Sequence, residues 1–201
     1  MNKKKFSTRQ MVATSMLCAV LLVLSFTPLG YLNIGPLAIS FNMIPVAIAG
    51  ITLGPVGGMI LGGLFGITSF LQCLGIGGTS AMGVILFDID PFLAFVQRFL
   101  PRLLAGILSA YAYMGTKRLI NNTVACFVTG FAAALLNTVL FMSALVLLFG
   151  RTEYIQNLMG GKNILLFICS FVGINAVVEM IAASMVVGVV GRVLTKFLNR
   201  R

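Results

Sequence analysis

From Gln10 to Phe87 the chain contains no charged side chain. A soluble domain needs polar surface spread along its whole sequence, whereas a helix facing lipid needs that surface to be missing. The remainder is nearly as apolar: 59% of residues are hydrophobic, 9% are charged, and the mean hydropathy is +1.07. Runs long enough to cross a bilayer as helices recur, and the alternating pattern of barrel strands does not. These features predict an all-α integral membrane protein, with residues 1–201 read as a single membrane domain.

Glycine and proline divide the chain into six predicted helices, at about 10–27, 41–53, 55–73, 91–115, 121–149 and 163–197. The second is short, carries Pro45, and passes into the third through the minimal turn Gly54-Pro55. Gly58, Gly62 and Gly66 fall at every fourth position of the third, the spacing that lets helix backbones approach closely. Asp90-Pro91 reads as an N-cap followed by proline at the first helical position. Three long connections remain: TPLGYLNIGPLAIS (27–40), LGIGGTSAMGVILFDID (74–90) and GRTEYIQNLMGGK (150–162).

The net charge of +10 invites a nucleic-acid reading, but the basic residues sit at the ends and in one interior turn, with no aromatic-interleaved patch. Topology explains them. With both termini inside, Lys3, Lys4, Lys5, Arg9, Lys117, Arg118, Arg192, Lys196, Arg200 and Arg201 share the inner face. The outer loops then hold only Arg151 and Lys162 among the basic residues, beside Asp88, Asp90 and Glu153. That asymmetry predicts a six-span bundle, N-in and C-in. The first apolar run, Met11 to Phe26, is expected to be a retained helix, since no small-residue cleavage pattern follows it.

Three ionisable residues fall within the predicted spans: Arg98, Arg102 and Glu179. Each costs about 2.5–3.5 kcal/mol at a helix centre, so such residues face the bundle interior and a partner. Counted from the outer helix ends, Arg98 lies about 10 Å deep, Arg102 about 16 Å, Asn137 and Asn175 about 18 Å, and Glu179 about 24 Å. Asn42 and Gln72 fall near outer helix ends, and Gln97 adjoins Arg98. Arg98 and Arg102 share a face, as do Asn175 and Glu179. For Arg102 two readings stay open, a buried pair with Glu179 or a contact to ligand. For Arg98 the missing partner is a ligand anion, because a guanidinium holds a carboxylate through two hydrogen bonds. The expected site is an outward-facing pocket roofed by the three long loops, with Phe26, Tyr31, Phe41, Phe65, Phe70 and Phe87 as candidate walls.

Absences narrow the function. Histidine is missing altogether, and Cys18, Cys73, Cys126 and Cys169 lie in different apolar runs without metal spacing, so neither a metal nor another cofactor is expected. An integral membrane enzyme is disfavoured on the same grounds. The nearest string to a P-loop, GGKN at 160–163, lacks its glycine and hydroxyl positions. No inverted repeat marks an ion-coupled carrier. A binding subunit that borrows energy from a partner fits better, and the small residues Ala13, Ser15 and Ala19 on the first helix offer a face for it.

The segment SFNMIPVAIAGITLGPVGGMILGGLFGITSF, with its IPxxIxGxxLGPxxGxxxG pattern from Ile44 to Gly62, resembles the S components of energy-coupling factor (ECF) vitamin transporters. The likeness extends over nearly the whole chain, through the basic N-terminus, the small-residue first helix and the six-helix layout. The family's Ala-xxx-Ala step on that helix appears as Ser15-xxx-Ala19. FGITSFLQCLGIGG and DIDPFLAFVQRFLPRLLAG resemble the pantothenate-specific members, with Asp90 where those have Asn.

The resemblance implies a plasma-membrane protein of a prokaryote that captures a vitamin outside the cell. It implies as partners a transmembrane coupling subunit and two cytoplasmic ATPases. Pantothenate fits the residues, an arginine for its carboxylate and amide side chains for its hydroxyls and amide. Biotin, folate or riboflavin as ligand, and a stand-alone secondary carrier as class, are the alternatives.

Overall fold

The computed structural model describes residues 7–33, 38–78, 80–160 and 163–198. Lys3, Lys4, Lys5, Lys162, Arg200 and Arg201 lie outside the described residues, as do the side chains of Tyr31 and Cys169.

All six predicted helices form, within a few residues of their expected ends. Helix α1 (Thr8–Phe26) opens on a capping box, in which Ser7 Oγ accepts from the Gln10 N–H and Gln10 Oε1 from the Ser7 N–H. Helix α2 (Met43–Leu53) ends at Gly54, whose φ of 71° suits a residue without Cβ, and Pro55 then starts α3 (Pro55–Leu71). A 3-10 turn, Gln72–Leu74, extends α3.

The three long connections are structured, which corrects their reading as loops. The first holds a two-stranded antiparallel hairpin, β1 (Tyr31–Asn33) with β2 (Ala38–Ser40), Leu32 opposite Ile39. The second contains α4 (Ala81–Ile89), capped by Ser80, and the third contains α7 (Glu153–Met159). Burial explains both helices: Met82 and Leu86 of α4 and Ile155 of α7 close an apolar cluster with Ala94, Met142, Leu145 and Phe149. Two of those residues, Leu86 and Ile155, are wholly shielded.

Helix α5 (Pro91–Leu119) starts as predicted, with Asp90 Oδ1 accepting from the Leu93 N–H at 3.0 Å. It runs past its expected end, so Lys117 and Arg118 form its last turn rather than a loop. Helices α6 (Asn122–Phe149) and α8 (Ile164–Leu198) complete the bundle. Among the described residues, five helical stretches are long and apolar enough to span a membrane: α1, α3 with its extension, α5, α6, and α8 from Asn175. Helix α2 is not one of them, because eleven residues rise only about 16 Å. It is a core helix, packed against α1, α3, α5, α6 and α8.

The glycines of α3 bring that helix onto α5, as their spacing predicts. A Cβ on Gly58 would collide with the Gly106 carbonyl, one on Gly62 would stand 2.6 Å from the Arg102 carbonyl oxygen, and one on Gly66 2.9 Å from Phe99 Cα. The backbone that carries Arg102 is thus pressed directly against α3.

Two polar groups identify the ends of the bundle. Ser25, Asn42, Thr68 and Gln72 gather the end of α1, the start of α2 and the end of α3 beside the hairpin. At the opposite end, near both chain termini, Tyr113, Asn122 and Thr195 join α5, α6 and α8. These are called here the hairpin end and the termini end.

Candidate functional site

Arg98 and Arg102 lie one turn apart on α5, each 6% exposed, and both face α6. The Phe141 ring of α6 stands between them, 5.4 Å from the Arg98 guanidinium carbon and 5.0 Å from that of Arg102. Arg102 also covers the buried Phe65 ring of α3 at 4.8 Å. Aromatic faces suit a weakly hydrated guanidinium in a dry interior. Pro101 interrupts the main-chain ladder beside the pair, and Arg102 Nη1 donates to the Arg98 carbonyl at 2.7 Å.

Arg98 reaches toward the hairpin end. Its Nη2 donates to Ser80 Oγ at 3.1 Å, the same oxygen that caps α4 by accepting from the Gly83 N–H. Gly83 makes room for this, since a Cβ there would stand 2.9 Å from Arg98 Nη2 and 2.8 Å from Cys73 Sγ. One cation therefore ties α5 to the start of α4.

Glu179 of α8 meets the deeper arginine. Its carboxyl is 8% exposed, approached by the Ser40 main-chain N–H and the Asn137 side chain, and acted on by the charge of Arg102. Asn175, one turn above on α8, is equally buried. The sequence left Arg102 between ligand and Glu179, and the fold brings those two charges into one electrostatic neighbourhood.

Four of the eight predicted residues thus gather in one region, Arg98 and Arg102 on α5, Asn137 on α6 and Glu179 on α8, while Asn175 shares the Glu179 face of α8 and Gln97 precedes Arg98 on α5. Gln97 is fully buried with neither amide atom hydrogen-bonded among the described residues, and Asn137 Oδ1 and Glu179 Oε1 are likewise unsatisfied. Buried amides without partners are rare because each costs about 1–3 kcal/mol. Asn42 and Gln72 belong elsewhere. Gln72 Nε2 donates to the Ser25 carbonyl at 2.7 Å, and Asn42 Oδ1 faces Ser25 Oγ at 3.5 Å, so both serve the α1–α2–α3 knot.

Of the candidate walls, Phe65 lies against Arg102, while Phe70 packs on Phe87 at 5.9 Å and edge-on to Phe95 at 5.1 Å. Phe26 is 38% exposed and lies against Gly77, and Phe41 is half-buried. Phe141 and Ser80 escaped the sequence reading. Phe141 follows Asn137 by one turn, the only signal that placed it on this face; Ser80 caps a helix that was read as loop.

Ser15 and Ala19 stay exposed on α1, and Ala13 is half-buried. Burial on this helix is confined to Leu21 and Ser25. No group of three metal-ligating side chains occurs among the described residues.

The chain matches the family described as ECF transporter, substrate-specific component, over residues 9–191. It belongs to that family. It is also 26% identical to the pantothenic acid transporter PanT of Lactococcus lactis subsp. cremoris (strain MG1363), an alignment covering 98% of each chain. The helical membrane class and the transport role read from the sequence agree with this membership, and the chain is a transport subunit with helices suited to a multi-pass membrane protein.

Proposed function

We propose that this chain captures pantothenate from outside a prokaryotic cell and delivers it through an energy-coupling factor importer. The observation that carries the reading is the buried arginine pair on α5, stacked on Phe141, with Glu179 and the Asn137 amide beside the deeper arginine. Two cations and one carboxylate leave this interior one positive charge in excess, which suits a single anionic ligand. Arg98 is the carboxylate clamp. Gln97, Asn137 and Asn175 address the hydroxyls and amide of the ligand, and Arg102 with Glu179 closes the deep end of the pocket. Asn42 and Gln72 support the pocket from the neighbouring knot without contacting the ligand. The 26% identity with a pantothenic acid transporter supports this substrate.

The chain crosses the membrane six times with both termini inside, the sixth crossing being α2 with the hairpin above it. The placement of Asn42 at the hairpin end supports this path, as does that of Thr52 beside Ser7 at the termini end. The basic residues near the termini supply the cytoplasmic bias. A transmembrane coupling subunit docks on the small-residue face of α1 around Ala13, Ser15 and Ala19, and two cytoplasmic ATPases hydrolyse ATP.

Calorimetry of the detergent-purified chain against pantothenate, biotin, folate, riboflavin and thiamine tests the substrate. Tight one-to-one binding of pantothenate alone is expected. Binding of another vitamin in its place would move the substrate, and no binding at all would return the arginines to a structural role. For docking, Ala19→Leu is expected to keep full vitamin binding and lose uptake in cells; unchanged uptake would remove α1 as the docking face.

A further inference from the structure

At the termini end a cleft of about 320 Å³ opens between the start of α1 and the last turns of α2, α5 and α8. Its lining combines Lys117, Ser7, Gln10 and Tyr113 with the apolar Ile51 and Leu198.

Three of the polar groups keep donors for the cleft. Ser7 Oγ and Gln10 Oε1 accept the hydrogen bonds of the α1 capping box, at 3.3 and 3.0 Å. What these side chains retain for the cleft is the Ser7 hydroxyl hydrogen and the Gln10 Nε2 hydrogens. Tyr113 gives its hydroxyl hydrogen to Asn122 Oδ1 at 2.6 Å, and its ring supports the Lys117 ammonium, whose Nζ lies 5.3 Å from the centroid. No acidic side chain lines the cleft among the described residues: Asp88, Asp90 and Glu153 lie near the hairpin end and Glu179 in the interior. Thr52 and Thr195 also line the cleft but give their hydroxyl hydrogens to the Ile48 and Arg192 carbonyls, so its open donors are Ser7, Gln10 and the Lys117 ammonium, a set that fits a group which accepts hydrogen bonds and carries negative charge.

We infer that this cleft seats the phosphate of an anionic phospholipid headgroup, held by Lys117, Ser7 and Gln10. The cleft lies at the ends of the helices, where spanning segments meet the headgroup layer, and Ile51 and Leu198 add apolar lining to it. The site is separate from vitamin capture at the hairpin end and does not depend on it.

Native mass spectrometry of the full chain, delipidated and then supplied with phosphatidylglycerol, phosphatidylcholine or inorganic phosphate, tests the assignment. Lys117→Gln and Arg118→Gln remove the same charge from adjacent exposed positions, but only Lys117 lines the cleft. The wild type and Arg118→Gln are expected to retain one phosphatidylglycerol, and Lys117→Gln to retain about five-fold less. Equal loss in both variants would reduce the effect to diffuse attraction and overturn the site. Retention of phosphatidylcholine as strong as phosphatidylglycerol would overturn the charge argument, and displacement by millimolar inorganic phosphate would identify a free-anion site instead. Lipid retention unchanged by Lys117→Gln, with vitamin uptake lost, would reassign the cleft to an acidic protein partner.

Discussion

At the termini end, Tyr113 donates to Asn122 at 2.6 Å, Asn122 donates to Thr195 at 3.0 Å, and Thr195 donates to the Arg192 carbonyl at 3.0 Å. Each polar group hands on to the next, and three helices are locked together at neutral cost. At the hairpin end the same helices bury two arginines and a glutamate, and they leave Gln97, Asn137 and Glu179 with unsatisfied atoms among the described residues. One half of the bundle uses buried polarity to hold itself together; the other keeps hydrogen-bonding capacity in reserve. Polar groups that could have been closed against one another, as at the termini end, stay open where a ligand is to be bound.

The sharpest way to break this contrast is Arg98→Ala. Pantothenate affinity, measured by calorimetry, is expected to fall by about two orders of magnitude or more while the protein stays monodisperse. Collapse of the protein instead would make the hairpin end structural after all.

Gln97→Leu sharpens the contrast, because it trades two unsatisfied atoms for an apolar side chain of similar size. Binding is expected to weaken about ten-fold, whereas thermal stability in detergent rises by about 1–2 kcal/mol. A loss of stability would mean that Gln97 is satisfied in the folded protein.

The smallest expected effect on binding comes from the other end. Asn122→Ala opens the Tyr113–Asn122–Thr195 chain and is expected to cost about 1–3 kcal/mol in unfolding experiments, with vitamin affinity unchanged. Parallel losses of affinity and stability would show that the two ends are coupled and that the division is false.

The six predicted helices were legible because glycine and proline punctuate runs that lipid keeps nearly free of charge, and Asp90-Pro91 marked its helix start correctly. Helix α4 was not, because a nine-residue stretch that itself contains Gly83 shows too few turns for any periodicity. Its existence depends on Met82 and Leu86 finding Ala94 and Met142, contacts between distant parts of the chain. The charged members of the site stood out as anomalies in apolar helices. Asn42 and Gln72 were grouped with them because depth along a helix says nothing about which side of the bundle a residue takes; their partners Ser25 and Thr68 are invisible at that level. Phe141 was missed since an aromatic ring in an apolar run carries no signal until a guanidinium is found over it.

Helix α2 ends up walled in by five other helices, yet MIPVAIAGITL is apolar all round, and eight of its eleven residues are buried. Its position in the chain accounts for this. Four of the helices that enclose it are synthesised after it, α3 at once and α5, α6 and α8 only later, so α2 emerges from the ribosome long before its final surroundings exist. A polar contact prepared for α5 or α8 would spend that interval exposed to hydrocarbon. An unbroken apolar surface lets α2 wait in lipid beside α1 and α3 and then exchange lipid for helix neighbours as they arrive, so the order of synthesis, as much as the finished structure, sets its composition.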